Sequence, residues 1–141
     1  MLAGLALVGI GCSKKDTDEA KVTVVVKDFL SDAADGKGAE ACSYLTGDAV
    51  RYVSTVGVVA QTSASCPDAV KALSGQFAAD EKEALKGADI EKVSVSGDRA
   101  TIAREDVKID YKGQSHLFPS ATKSPILLVK TDDGWKIESL G

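Results

Sequence analysis

The sequence predicts an α+β domain whose N-terminal helices pack in the concavity of one curved antiparallel sheet. Apolar residues recur at helical spacing as far as Gly87, whereas after Ala88 they alternate with the two-residue period of a strand. Helices followed by a run of strands are typical of this layout. The length of 141 residues, of which 44% are hydrophobic and 27% charged, suits a single globular domain.

The first predicted helix covers residues 16–34. Its apolar residues fall at helical positions i, i+3, i+4, i+7, i+8 and i+11, and they are Val22, Val25, Val26, Phe29, Leu30 and Ala33. Asp16 and Glu19 have the spacing of a capping box, and Gly36 suits the C-terminal stop. The Val-rich segment 22–26 is locally strand-like, which argues against the helix.

Three further helical segments precede the strands. Residues 39–45 form a short predicted helix that ends at Gly47, and residues 48–56 form another, with Val50, Val53 and Val56 facing inward. After a loop at residues 57–65, a capping Ser65, Pro67 in the first turn and Asp68 near the positive end of the dipole predict a longer helix up to Gly87. Its buried side carries Val70, Leu73, Phe77, Ala84 and Leu85, and Gly75 is predicted to kink or split it.

A hairpin is predicted next, with Val93 and Val95 on one strand, a tight turn at Gly97-Asp98, and Ala100 and Ile102 on the other. The apolar residues Ala100 and Ile102 have even numbers, whereas those that follow have odd numbers: Val107, Ile109 and Tyr111. The side of the strand that faces inward therefore shifts by one residue. We therefore expect a bulge at residues 104–106 that bends the strand.

The last strands are predicted at residues 126–129 and 135–137. The run Ile-Leu-Leu-Val at 126–129 is typical of a buried strand, and Asp132-Asp133-Gly134 has the composition of a turn. Between the bulge and this strand, Lys112-Gly113 is predicted to turn into segment 114–118, and Pro119 and Pro125 bracket a loop.

Charge and motif content exclude several classes of function. Seventeen basic against 21 acidic side chains give a net charge of −4, which lacks the electrostatic footprint of a nucleic-acid binder. One histidine and three cysteines leave few metal ligands, and no phosphate-loop, dinucleotide, nucleophile-elbow or zinc-protease motif occurs. We therefore expect no metal, no cofactor and no nucleic-acid partner, and no motif names a catalytic residue.

The N-terminus has the character of an export signal. Residues 2–10 are nine uncharged, mostly apolar residues, which is the length of a signal-peptide core and too short to span a bilayer. The segment Val8-Gly9-Ile10-Gly11-Cys12 resembles the bacterial lipobox, in which a small residue precedes a cysteine that is diacylated and becomes the mature N-terminus. Because no basic residue precedes Leu2, we expect the true start to lie upstream.

This resemblance implies a lipoprotein signal peptide at residues 1–11, a lipidated tether at residues 12–16 and one domain at residues 17–141. Cys12 would be the lipid attachment site, and the domain would lie on the extracytoplasmic face of the cell membrane. Lys14 and Lys15 would then lie at headgroup depth, where each adds ~1 kcal/mol on an anionic leaflet, although a solvated pair explains them equally well. The alternative is a buried apolar N-terminal strand with a free Cys12.

The two remaining cysteines, Cys42 and Cys66, form an even pair in an exported protein, which predicts a disulfide. Such a bridge would close a loop of about 25 residues, worth ~3.5 kcal/mol in the chain-entropy description. The alternatives are two buried free thiols or a redox pair, and the second lacks the C-x-x-C spacing that lowers a thiol pKa.

Four short motifs carry a resemblance to a known superfamily. They are Gly38-Ala39-x-Ala41-Cys42, Cys66 before a helix, Val95-x-Gly97-Asp98-x-Ala100 and Asp133-Gly134-Trp135-Lys136-Ile137. The predicted helices, the bent antiparallel sheet and the last of these motifs resemble the nuclear transport factor 2-like superfamily. The order of the other three resembles, more closely, that in small actinobacterial lipoproteins with this domain. The resemblance covers residues 16–140 and implies a cone-shaped fold. Most members of this group have no assigned activity.

The cone of this superfamily often encloses a concave apolar pocket. Five aromatic residues are candidates to line it: Phe29, Tyr44, Tyr52, Phe77 and Trp135. With seven aromatic residues in the chain, these side chains also suit the core itself. The first hypothesis is a non-catalytic, membrane-anchored domain that binds a small apolar ligand or a cell-envelope partner.

An enzyme of the isomerase or cyclase type is the second hypothesis. It would need a carboxylate held as general base in the apolar cone and a donor for an oxyanion. Tyr52 is the candidate donor and Asp106 or Glu105 the candidate base, although ordinary solvated charges explain these two acids as well. His116 lies in a polar segment typical of a surface. A buried carboxylate within hydrogen-bonding reach of Tyr52 would favour the enzyme.

A homodimer formed over the outer face of the sheet is the third possibility. It would require apolar side chains on that face. The polar residues Ser94, Thr101 and Lys108 argue against such a surface.

Overall fold

The computed structural model describes residues 17–59, 65–112, 117 and 124–141, and of residues 56–59 only the backbone. This part of the chain is α+β. Its helices are α1 (Asp18–Ala34), α2 (Gly38–Ser43), α3 (Asp48–Val59), α4 (Cys66–Gln76) and α5 (Ala79–Lys86). Its strands are β1 (Asp89–Ile90), β2 (Ser94–Ser96), β3 (Arg99–Ile102), β4 (Val107–Lys108), β5 (Ile126–Thr131) and β6 (Gly134–Ser139).

In the described residues the strands form two antiparallel sheets rather than the single one predicted. The larger sheet has the order β2-β3-β5-β6, and the smaller one pairs β1 with β4. The irregularity predicted at residues 104–106 lies at the expected place, but it is a turn of 3-10 helix (Arg104–Asp106) rather than a bulge. Because the Asp106 amide donates to Ala103 O at 3.0 Å, the chain leaves the larger sheet there and continues as β4.

Helix α1 begins two residues later than predicted, with Thr17 as its cap in place of Asp16. The Thr17 hydroxyl accepts a hydrogen bond from the Ala20 amide at 3.1 Å, which satisfies one of the free donors of the first turn. Its buried face keeps five of the six predicted residues and adds Ala34, whereas the predicted Val25 is only partly buried. The buried residues are Val22, Val26, Phe29, Leu30, Ala33 and Ala34. Burial of this face overrides the strand propensity of the Val-rich segment.

The ends of α2 and α3 differ from the predictions. Helix α2 ends at Ser43 rather than at Leu45, because the following residues pair with β6. The Ile137 amide donates to Tyr44 O at 2.7 Å, and the Thr46 amide donates to Ile137 O at 2.9 Å. The chain after α2 therefore covers the edge of the sheet. Helix α3 continues to Val59, into the segment predicted as a loop.

The split predicted near Gly75 is confirmed. Helix α4 ends at Gln76 and α5 begins at Ala79, with the buried Phe77 in extended backbone between them. Ser65 caps α4 as predicted, since its hydroxyl accepts from the Asp68 amide at 3.3 Å. The sulfur atoms of Cys42 and Cys66 form a disulfide that joins α2 to the first residue of α4.

The larger sheet has one buried and one open face. Helices α1 and α3 contact β6, and the buried face contributes Ala100, Ile102, Leu128 and Ile137 to the core. The prediction that residues 126–129 are buried throughout is wrong, because Leu127 lies on the open face and is 37% exposed. None of the helices in the described ranges carries an apolar stretch long enough to cross a bilayer.

The open face carries polar side chains that the sequence predicts, beside the exposed Leu127. Ser94 and Thr101 are exposed there and face each other across β2 and β3. Arg99 and Glu138 form an ion pair that spans β3 to β6. Lys108 is also exposed, but it belongs to the smaller sheet.

Candidate functional site

A groove of about 430 Å³ lies between α1, the end of α2 and the β5–β6 hairpin. We call it the α1–β6 groove. Its apolar lining consists of Val24, Val25, Tyr44 and Trp135, and its polar lining includes Lys21, Lys130, Lys136 and Asp133. The volume lies within the range of about 300–1,000 Å³ typical of small-molecule sites.

Local sequence places two sides of the groove. Lys21, Val24 and Val25 share one face of α1 because they are three and four residues apart. Lys130 and Trp135 lie opposite each other on β5 and β6. Gly134 has a backbone φ of +101°, which residues with a side chain rarely adopt. This conformation lets the turn end at Gly134, so that Trp135 follows it on β6.

Asp18, at the start of α1, holds the indole of Trp135 in place. Its Oδ1 accepts a hydrogen bond from Trp135 Nε1 at 3.1 Å and another from Lys130 Nζ at 3.2 Å. These two hydrogen bonds, that from Trp135 first, hold the pKa of the Asp18 carboxyl below its usual value. The Lys130 ammonium also lies 5.8 Å from the centroid of the indole ring, within the range of a cation–π contact. The orientation of the groove's largest side chain is thus fixed by two neighbours.

Tyr44 forms the opposite side of the groove. Its side chain is half-buried, and burial, together with the carboxylates of Asp28, Asp32 and Glu40, raises the pKa of its phenol above the usual value. Like any phenol at neutral pH, the hydroxyl is protonated, so it offers one donor next to an apolar surface.

The structure brings together two of the five predicted ligand-lining aromatics, Tyr44 and Trp135. Phe29 and Phe77 lie in the hydrophobic core and outside the groove. Trp135 belongs to the same core, being 4% exposed, and reaches the groove with one part of its side chain. Tyr52 is half-buried, and its hydroxyl donates to Leu117 O at 3.3 Å. Burial raises the pKa of the Tyr52 phenol, and the Arg104 guanidinium opposes that effect.

Neither carboxylate proposed as a general base is bonded to Tyr52 among the described contacts. Glu105 is exposed, and Asp106 is partly buried in the 3-10 turn. The charged group that acts on Tyr52 is the cation of Arg104, whose own pKa is lowered, mainly by burial.

A fully buried carboxylate that the sequence reasoning missed is that of Glu81, which is 0% exposed. Its spacing to the buried Ala84 and Leu85 places it on the inner face of α5. This helical spacing to Ala84 and Leu85 is the sequence signal that could have identified Glu81 as buried.

Several predictions fall on residues outside the described ranges. Cys12, the signal segment, the tether and His116 belong to this group, as does most of the segment predicted to follow Lys112. In the described ranges, no group of three or more histidine, cysteine, aspartate or glutamate side chains is placed to hold a metal ion.

Comparison with protein-family models, with curated proteins and with solved structures returns no match for this chain.

Proposed function

We propose that this protein is a non-catalytic, membrane-anchored binding domain of the cell envelope, and that it binds a small apolar ligand in the α1–β6 groove. The observation that carries the proposal is the groove itself. It joins two aromatic side chains and two valines into one concave surface, and one of these valines, Val24, is 55% exposed. Val24 and Leu127 are the large apolar side chains exposed in the described ranges, so solvent-exposed apolar surface is concentrated at few places.

Export and lipid anchoring at Cys12 are part of this proposal. The disulfide between Cys42 and Cys66 suits an oxidising compartment. Asp18 follows Cys12 by six positions in the sequence, a reach of at most about 21 Å at ~3.5 Å per residue. Because Asp18 contacts Trp135, an anchor at Cys12 would keep the groove near the membrane surface. An envelope protein that binds the same groove is the other partner that this location suits.

We infer further that the fold is a variant of the nuclear transport factor 2-like cone. The order of helices before antiparallel strands and the contact of α1 and α3 with β6 support this inference. The isomerase-like alternative has less support, because the described hydrogen bond of Tyr52 goes to a backbone carbonyl and not to a carboxylate.

Replacement of Val24 by aspartate tests the ligand site. The only tryptophan of the chain, Trp135, lines the groove, so its fluorescence reports binding of dodecyl maltoside below the micelle concentration. We expect Val24→Asp to weaken this binding about tenfold, since a buried Val contact contributes about 1.5 kcal/mol. Asp and Val have similar helix propensities, so α1 should stay intact.

Leu127→Asp is the matched control, because it places the same charge on an exposed apolar residue of the open sheet face. It should leave the affinity unchanged. Absence of any fluorescence change with the wild type, or equal loss in both variants, would contradict the groove as the ligand site.

The anchor has its own test. When the full gene is expressed in a bacterial host, the wild type should be recovered in the membrane fraction with an intact mass that shows acylation and removal of residues 1–11. Cys12→Ser should shift the protein to the soluble fraction. A high-salt wash of the wild-type membranes is the control, because it releases proteins held by charge alone. Unmodified protein that retains residues 1–11 would rule out the lipoprotein assignment.

A further inference from the structure

We propose that the ligand of the α1–β6 groove is an anionic membrane lipid, which it would bind through a phosphate headgroup and the adjoining part of one alkyl chain. The proposal rests on the proposed function and adds the chemical class of the ligand. It combines two properties of the same groove, its charge and its apolar lining.

The charge of the groove is opposite to that of the protein. The chain has a net charge of −4, yet the groove is lined by three lysines and one aspartate. Lys130 is engaged with Asp18. Among the ion pairs of the described residues, none involves Lys136, and Lys21 acts on Asp18 only at longer range, through its charge. These two ammonium groups can therefore approach the charge of a ligand.

The two cations approach the groove from different sides. Lys21 is exposed on the first turns of α1, whereas Lys136 lies on β6. The Lys136 ammonium donates to Ser43 O at 2.6 Å, which holds it at the end of α2 while two of its three protons stay available. A phosphate carries several acceptor oxygens, and its charge-assisted hydrogen bonds to ammonium groups such as these are stronger than neutral ones.

The apolar lining accounts for the rest of the ligand. Val24, Val25, Tyr44 and Trp135 form a surface that neither a free phosphate nor a sugar would cover. An alkyl chain attached to the headgroup would remove the exposed part of Val24 from water. The position of the groove favours a membrane as the source of this ligand. A lipid anchor at Cys12 would hold the start of α1 near the bilayer, and Asp18, the first residue of α1, bonds to Trp135 in the groove.

The test compares three probes by the fluorescence of Trp135 in the full chain. They are dodecyl phosphate, dodecyl maltoside and inorganic phosphate, with both detergents below their micelle concentrations. We expect dodecyl phosphate to bind about tenfold more tightly than dodecyl maltoside, which is the gain that two exposed charge contacts can supply. In 1 M salt, where the Debye length falls to about 3 Å, the two affinities should converge.

The double variant Lys21→Gln with Lys136→Gln should remove the tenfold preference for dodecyl phosphate over dodecyl maltoside. Lys71→Gln with Lys92→Gln is the matched control, since both residues are exposed and lie outside the groove. This control removes the same net charge and should keep the preference. The salt dependence of the wild type tests the same point without any variant.

Four other outcomes of this test would each contradict one part of the proposal. Equal affinity for the two detergents at low salt would overturn the lipid-anion proposal and leave an apolar site. Inorganic phosphate that binds as tightly as dodecyl phosphate would show a free-phosphate site instead. A preference lost equally in both double variants would reflect net charge rather than these two lysines. Failure of both detergents to bind would overturn the proposed function as well.

Discussion

Replacement of both Cys42 and Cys66 by alanine is expected to lower the free energy of unfolding by about 3.5 kcal/mol. The cysteines are 24 residues apart in sequence. In the chain-entropy description, removal of a cross-link that closes a loop of this size lowers the free energy of the unfolded state by that amount, because the unfolded chain regains conformational entropy. For a domain of this size the loss corresponds to a fall in melting temperature of about 10–15 °C. Urea unfolding of both proteins at neutral pH measures the difference.

Reduction of the wild type provides the control for this experiment. A reductant removes the same bridge without changing the side chains, so the reduced wild type and the double variant should unfold at closely similar urea concentrations. A difference below 1 kcal/mol between oxidised and reduced wild type would contradict the expected role of the bridge. It would mean that packing of α2 on α4 holds the two segments together unaided.

Local signals predicted much of the fold correctly. Apolar spacing predicted the buried face of α1, and Ser65 and Pro67 predicted the start of α4, because both signals depend on residues within one or two helical turns. The position of the strand break after Ile102 was likewise visible as a change of parity. These features need no knowledge of distant parts of the chain.

Pairing between distant segments could not be predicted in the same way. That β4 pairs with β1, and that Tyr44 and Thr46 bond to Ile137, depends on which segments meet in three dimensions. The end of α2 was misplaced for this reason. Local pattern extends the helix to Leu45, whereas Tyr44 is its C-cap and the Tyr44 carbonyl accepts a hydrogen bond from the edge strand of the sheet.

The candidate site depended on both kinds of information. Tyr44 and Trp135 were found because aromatic side chains are common in pockets, but the same reasoning selected Phe29 and Phe77, which do not line the groove. Trp135 belongs to the hydrophobic core as well as to the groove. Lys21 and Val24 were missed. Their importance comes from the face of α1 that remains exposed next to β6, and sequence periodicity identifies only the buried face.

Gly38→Ala is expected to destabilise the protein by about 3 kcal/mol, near the upper end of the usual cost of overpacking. Gly38 is buried at the start of α2, and a Cβ there would overlap Pro67 O and lie 2.8 Å from the carbonyl carbon and the Cα of Pro67. Because these are backbone atoms of α4, no side chain can turn away to make room. The gain in helix propensity, about 1 kcal/mol at most, has the opposite sign and is smaller. Thermal and urea unfolding measure the net effect.

Gly75→Ala is the matched control. Gly75 lies within α4, and a Cβ at this position would meet nothing within 4 Å, so only the propensity gain remains and the variant should be as stable as the wild type or more so. The same comparison in the Cys42→Ala, Cys66→Ala background separates contact from cross-link. Since the disulfide holds α2 against α4 beside Pro67, its removal lets the helices move apart, and Gly38→Ala should then cost less than in the wild type. An equal cost in both backgrounds would show that packing of α2 on α4 alone enforces the close approach.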